Sequence, residues 1–204
     1  MTQDEFFGSE RSLPPLPHGA EVALHPRAIP APEAARLFVA LRSEISWEQD
    51  RIRMFGKIID LPRLTAWYGD PGRSYTYSGI AMEPRQWTDA LREVKNLVEH
   101  LAETTFNSAL ANLYRHKGDK LAWHSDDEPE LGPAPIIASV SLGATRRFFI
   151  RNKADHTDKA VIRLEHGDVL VMAGTTQQLC EHAIPGESHK VGERINLTFR
   201  RVEN

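Results

Sequence analysis

Residues 194–200 read RINLTFR, and the order of side chains in this stretch decides what the chain around it can be. Arg194, Asn196, Thr198 and Arg200 occupy alternate positions, with Ile195, Leu197 and Phe199 between them. A period of two is the signature of a half-buried strand, with one face turned to a core and the other away from it. Two guanidiniums, an amide and a hydroxyl in a row suit an anion with two ends, because the planar donor fork of arginine grips a carboxylate bidentately. A small dicarboxylate is therefore one expected ligand. A surface strand with solvated arginines is the plain alternative, and the rest of the sequence decides between them.

The chain has 204 residues, 41% hydrophobic and 26% charged, enough for one domain with a sizeable core. Its formal net charge of −3 means that a nucleic-acid partner would be met by a local basic patch rather than by the whole surface, which argues against a histone-like binder. Cys180 is the sole cysteine, so neither an intrachain disulfide nor a thiolate zinc site can be built. No apolar run approaches the ~20 residues of a membrane span. Residues 1–12 are acidic and polar where a secretory leader is basic and then apolar. A cytoplasmic monomer in a reducing compartment, with no membrane partner, is expected.

Residues 1–30 contain Pro14, Pro15, Pro17, Pro26 and Pro30 without a sustained period and read as a tail, partly extended or packed as an arm; residues 31–204 read as one domain. Leu37, Phe38, Leu41 and Ile45 recur at helical spacing, giving an amphipathic helix from Pro32 to near Trp47. Residues 51–79 interleave Arg and Lys with aromatics, Gly and Pro, and Arg51–Lys57 alternates around Gly56 as a short hairpin would. Rings that stack on bases beside cations that meet phosphates form a nucleic-acid groove. A packed hairpin with solvated cations would look the same. Pro84 opens a second helix, with Trp87, Leu91, Val94, Leu97 or Val98, and Leu101 on its buried stripe. From Phe106 to the end, short strand-like runs alternate with turns. Helices followed by many short strands give an α+β fold, with helices backing a β-sandwich or jelly roll over residues 106–204.

The chemistry sits in LAWHSDDEPE, residues 121–130. His124 and Asp126 are two apart, so on an extended segment both point the same way. A third ligand is needed, and His182 stands out, on a strand-like stretch just before a Pro-Gly turn; His116, His156, His166 and His189 lie in charged, turn-like contexts and read as solvated. Two histidines and one carboxylate make the facial triad that leaves positions open on non-haem Fe(II). Zinc on the same ligands is the chemical rival, but a hydrolytic zinc site has no use for a dicarboxylate clamp. Triad and arginine row together are the apparatus of an oxygenase that uses Fe(II), 2-oxoglutarate and dioxygen.

NLYRHKGDKLAWHSDDE (112–128), SVSLGATRRFFIR (139–151) and RINLTFR resemble the AlkB family of oxidative nucleic-acid dealkylases, most closely its DNA-repair branch found in animals, and the likeness runs from about Phe55 to Arg201. The resemblance implies a double-stranded β-helix with an N-terminal nucleotide-recognition lid at 51–79. It implies Fe(II) on His124, Asp126 and His182. Asn112, Tyr114 and Arg194 would hold the distal carboxylate of 2-oxoglutarate, with Arg200 near the carboxylate at the iron and Asn196 and Thr198 lining the pocket. On the substrate side, Phe55 would enter the base stack at the tip of a hairpin, Tyr75 and Tyr77, with Ser78 beside them, would wall the base pocket, and Arg63 matches a basic lid position. A wedge with stacking aromatics offsets part of the cost of extruding a base. Asp127 and Glu128 would favour bases made cationic by methylation, and Glu128 matches the position facing the base amino group. Arg146, Arg147, Arg151 and Lys153 are candidates for the opposite strand of a duplex. The expected partner is alkylated DNA and the expected reaction is oxidative demethylation of N1-methyladenine and N3-methylcytosine, releasing formaldehyde, succinate and carbon dioxide. The same chemistry on RNA, protein or a small metabolite, or a non-catalytic nucleic-acid-binding jelly roll, are the alternatives.

Overall fold

Strand β14 (Arg194–Arg200) lies inside a sheet, flanked by β9 (Ile137–Gly143) and β7 (Ser108–Tyr114), both antiparallel to it. The computed structural model describes residues 11–54, 57–72, 75–77, 80–82 and 84–203, with the backbone alone at 52–54, 57–58, 75–77 and 80–82. The sheet that holds β14 has six strands. Beyond β7 lies β4 (Leu64–Gly69), and beyond β9 lie β12 (Asp168–Ala173) and the edge strand β1 (Glu21–His25). A second sheet orders β11 (Lys159–Leu164), β10 (Arg146–Asn152), β13 (Cys180–Ile184) and β8 (Leu121–His124). From β7 on, the strands alternate between the two sheets except at the β10–β11 hairpin, as in a jelly roll, which is the fold the sequence leads one to expect.

Two cores lie on the two faces of the larger sheet. Ile195, Leu197 and Phe199 enter the first, together with Leu37 and Leu41 of helix α1 (Ala31–Glu44) and Leu91, Val94 and Val98 of helix α2 (Asp89–Leu101). The helices therefore back this sheet. The second core lies between the sheets and contains Leu110, Tyr114, Phe148, Ile150, Leu170 and Met172. Every residue of β14 is buried, so the polar row also faces protein. This differs from a half-buried strand, and the reason is nonlocal: the second sheet covers the face that an isolated reading would give to solvent.

Helix boundaries depart from the sequence reading for local reasons. Helix α1 ends at Glu44, and Ile45 is already extended. Helix α2 begins five residues after Pro84, because Arg85 is engaged elsewhere: its N–H donates to the Trp67 carbonyl and its carbonyl accepts from Gly69. Thr88 is the cap, its hydroxyl accepting the Leu91 N–H at 3.2 Å, the usual use of a threonine at that position.

Strand β1 falls within the stretch read as a tail. It pairs with β12 over five residues, and Val22 and Leu24 pack against the second core, so apolar alternation outweighs the surrounding prolines. Strands β2 (Arg51–Met54) and β3 (Lys57–Asp60) form the expected hairpin, with Met54 opposite Lys57, and β5 (Tyr75–Tyr77) pairs with β6 (Ile80–Met82). No helix among the described residues is long and apolar enough to cross a membrane.

Candidate active site

The triad comes together from two neighbouring strands and the loop after one of them. His124 ends β8 and His182 lies opposite it on β13, their ring centroids 4.2 Å apart. Asp126 follows β8 by two residues. One donor atom from each of the three lies within 4.8 Å of the others. Among the described residues this is the sole such group of three or more.

The loop carrying Asp126 is fixed from α3 (Thr176–Leu179) and its continuation. Ser125 Oγ donates to the Cys180 carbonyl at 2.8 Å, and the Asp126 N–H donates to Gln177 Oε1 at 2.9 Å. Gln177 is buried and its amide nitrogen reaches Met172 sulfur at 3.5 Å. Replacing Gln177 with methionine keeps the volume but removes the acceptor of a buried N–H. Fe(II) affinity is expected to fall about tenfold, measured by calorimetric titration, with the fold intact by circular dichroism.

These residues fit a metal ion. His124 Nδ1 lies 2.9 Å from the Ala122 carbonyl, which fixes the proton there and leaves Nε2 as the donor. Asp126 gives Oδ1 to Arg200 Nη2 at 2.6 Å, while its buried Oδ2 accepts no hydrogen bond from the described residues. Protonation agrees. Burial pushes the Asp126 carboxyl up, but Arg200, His182 and His124 together outweigh it and hold the group at about 2. Burial, aided by His124, lowers His182 to about 3. An anionic carboxylate and a neutral buried imidazole at neutral pH are the forms that bind a divalent cation.

Beside the triad runs the polar row of β14, and the register places its partners. Arg194 stands opposite Tyr114, Asn196 opposite Asn112 on one side and Ser141 on the other, and Thr198 opposite Ser139. Arg194 Nη2 donates to Ser141 Oγ at 3.0 Å. Asn196 Nδ2 donates to Ser139 Oγ at 2.8 Å and to the Val140 carbonyl at 3.0 Å, and Thr198 Oγ1 donates to Asn196 Oδ1 at 3.2 Å. Asn112, Arg194, Asn196, Thr198 and Arg200 line one pocket with the triad. Arg194 is buried with Nε and Nη1 lacking hydrogen-bond partners among the described residues, and burial lowers its pKa to about 10. A buried cation of this kind calls for an anion. Ser139 and Ser141 escaped the sequence reading. They are short polar residues inside an apolar run, and only the register puts Ser139 in the pocket wall and Ser141 against Arg194.

The substrate-side candidates are placed less uniformly. Phe55 and Ser78 lie outside the described residues. Tyr75 and Tyr77 belong to β5, opposite Met82 and Ile80. Arg63 is buried, and its Nε donates to Asn112 Oδ1 at 2.7 Å, so it points toward β7. Asp127 is exposed and paired with Lys153 at 2.9 Å. Glu128 is half-buried and caps the 3-10 turn Pro129–Leu131. Of the basic candidates for a second strand, Arg147 pairs with Glu187 at 3.0 Å and Arg151 with Glu181 at 2.6 Å, Arg151 also lying over the Trp123 ring. Arg146 is turned fully inward.

Asp119 is buried and binds Arg115, the residue that follows Tyr114 in the chain, through its side chain and backbone N–H. Burial pushes its carboxyl up, but the Arg115 side chain and backbone N–H outweigh burial and hold it below 3.8. The folded state thus binds the proton more weakly than the unfolded chain, and the resulting stability is present above the ordinary carboxyl pKa and lost as pH falls below it. Asp119→Asn is expected to lower the urea midpoint at pH 7, with the gap to the parent protein closing as pH drops below about 4.

A jelly roll with two histidines and a carboxylate around one point, and an arginine row beside them, defines an oxygenase that pairs Fe(II) with a 2-oxo acid. Comparison with known proteins agrees. Residues 21–200 match the model of the 2OG-Fe(II) oxygenase superfamily, whose chemistry uses Fe(II), 2-oxoglutarate and dioxygen. The chain is 44% identical over 192 residues to the alpha-ketoglutarate-dependent dioxygenase alkB homolog 3 of Homo sapiens, covering 90% of this chain and 66% of that protein. It thus spans about two thirds of the length of that relative. It is 36% identical to the DNA oxidative demethylase ALKBH2 of Mus musculus, covering 83% of this chain and 75% of that one. The solved structure of OsALKBH1 superimposes with a TM-score of 0.62 over 88% of this chain and 97% of that chain, at 19% identity, a likeness of fold. The chain belongs to the AlkB family of the 2OG-Fe(II) oxygenase superfamily.

Proposed function

We propose that this protein is a 2-oxoglutarate-dependent dioxygenase that removes methyl groups from N1-methyladenine and N3-methylcytosine in DNA. The observation that carries the reading is the joining of triad and arginine row in one pocket through the Arg200–Asp126 bond of 2.6 Å. Names of the relatives support DNA as the substrate class: one is called a DNA oxidative demethylase.

In this reading His124, Asp126 and His182 hold Fe(II), and Arg194, Tyr114 and Asn112 hold the distal carboxylate of 2-oxoglutarate. Together the two groups supply the oxidation that splits dioxygen between succinate and the methyl carbon, which leaves as formaldehyde. The protein's part is placement and exclusion. Arg200 keeps Asp126 anionic and pointed. Leu110, Phe148, Met172 and Ile184 line the pocket and keep water from it. Arg63, bonded to Asn112, turns the Asn112 amide so that its nitrogen can donate to the cosubstrate. Glu128, close to the metal ligands in sequence, meets the amino edge of a cationic base. Asp127, next to it in the chain, is paired with Lys153. Phe55, Tyr75, Tyr77 and Ser78 form the nucleotide lid.

The experiment that tests this reading compares oligonucleotides carrying 1-methyladenine, 3-methylcytosine or neutral 6-methyladenine, by mass spectrometry. The two cationic bases are expected to lose a methyl group only with Fe(II) and 2-oxoglutarate present. If no oligonucleotide changed while 2-oxoglutarate was still consumed, the oxygenase reading would stand and the nucleic-acid assignment would fail.

A further inference from the structure

We propose that Arg146 is a positioning residue for the distal carboxylate of 2-oxoglutarate, acting through Tyr114; this rests on the reading of the pocket as a cosubstrate site. The sequence suggested a place for Arg146 on a nucleic-acid surface, but its side chain is fully buried. Its Nη2 donates to the carbonyls of Asp119 and Pro185, each at 2.7 Å, so the guanidinium is fixed by the loops that follow β7 and β13. Its central carbon lies over the Tyr114 ring, 5.1 Å from the centroid, and that of Arg194 lies over the same ring at 5.2 Å. Tyr114 is thus held by two buried cations.

The hydrogen bonds around this ring are incomplete. Tyr114 Oη, Nε and Nη1 of Arg194, and Nε and Nη1 of Arg146 are buried without hydrogen-bond partners among the described residues. The charge is incomplete as well. Glu187 approaches Arg146 Nε at 3.6 Å but also binds Arg147 at 3.0 Å, and Arg194 is bonded to the neutral Ser141 with no carboxylate paired to it among the described residues. An anion between Tyr114 Oη and Arg194 would satisfy both deficits. The Tyr114 phenol can donate to that anion only while its ring stands beside Arg194, and a ring on two side-chain torsions needs something rigid to lean on. Arg146 is that support, since a fixed guanidinium over an aromatic face attracts it electrostatically. It also adds positive potential: burial lowers the pKa of Arg194, Tyr114 raises it, and the Arg146 charge lowers it again, so an anion there is favoured by both arginines.

Arg146→Met removes the support, and Arg146→Met with Glu187→Gln does so while also removing the carboxylate that faces Arg146. The two variants and the parent, loaded with Fe(II) and kept anaerobic, are titrated calorimetrically with 2-oxoglutarate and with 2-oxovalerate, which has a methyl group in place of the distal carboxylate. The expected result is a loss of about tenfold or more in 2-oxoglutarate affinity in both variants, with 2-oxovalerate and Fe(II) affinities changed by less than about twofold. Equal weakening of both acids, or unchanged 2-oxoglutarate affinity, would overturn the proposal. Failure of the parent protein to prefer 2-oxoglutarate over 2-oxovalerate would overturn the cosubstrate reading itself, and no variant is needed to see it.

Discussion

His182→Ala is expected to reduce Fe(II) affinity by at least about 100-fold and to abolish iron-dependent turnover, with little change in the unfolding midpoint. The loss follows from the small number of ligands. Of three protein donors, two would remain, and Asp126 already gives one oxygen to Arg200. The fold should tolerate the change, because burial keeps His182 neutral and its removal strands no charge. The neighbouring Phe148 ring, 5.2 Å from that of His182, borders the space left behind. Iron content after desalting and succinate release, read on the same preparation, check the prediction. A variant that kept iron-dependent turnover would remove His182 from the metal site.

Arg194→Met carries the second large effect, and its two halves have opposite signs. The side chain is buried with two nitrogens unmatched and no ion pair among the described residues, so its burial is a cost to the folded protein. Methionine fills a similar volume without that cost. Unfolding temperature is therefore expected to stay level or rise. The same substitution removes a charged partner of a buried carboxylate, worth roughly 2–4 kcal/mol, which raises the KM for 2-oxoglutarate by about 30- to 1000-fold. Stability lost together with affinity would mean that Arg194 holds the fold rather than the cosubstrate. Stability kept and affinity lost is the behaviour of a residue retained for binding.

How much of this could be read in the sequence depends on whether the signal is local. The alternation of RINLTFR is local and matches the two faces of β14, and the i, i+2 spacing of His124 and Asp126 puts one at the end of β8 and the other in the loop just after it. The burial of the polar row was not legible, because the second sheet that covers it is assembled from strands between residues 121 and 184. Gln177 was hidden for a related reason: it lies on the short helix α3, in a run with no periodicity, and its bond to Asp126 spans 51 residues. Arg146 and Arg147 are adjacent and look alike in sequence, yet strand alternation sends one inward to Tyr114 and leaves the other half-buried beside Glu187. Arg63, read as a lid cation, turns inward for the same kind of reason, since Asn112 stands in reach on a strand distant in sequence.

The most direct test of the account measures product stoichiometry. A 3-methylcytosine oligonucleotide is incubated with the protein, Fe(II) and limiting 2-oxoglutarate, and succinate, formaldehyde and restored cytosine are quantified together. The three are expected to rise in equal amounts, and all three to vanish in His182→Ala. Succinate formation that ignored the oligonucleotide, with no cytosine restored, would contradict this expectation.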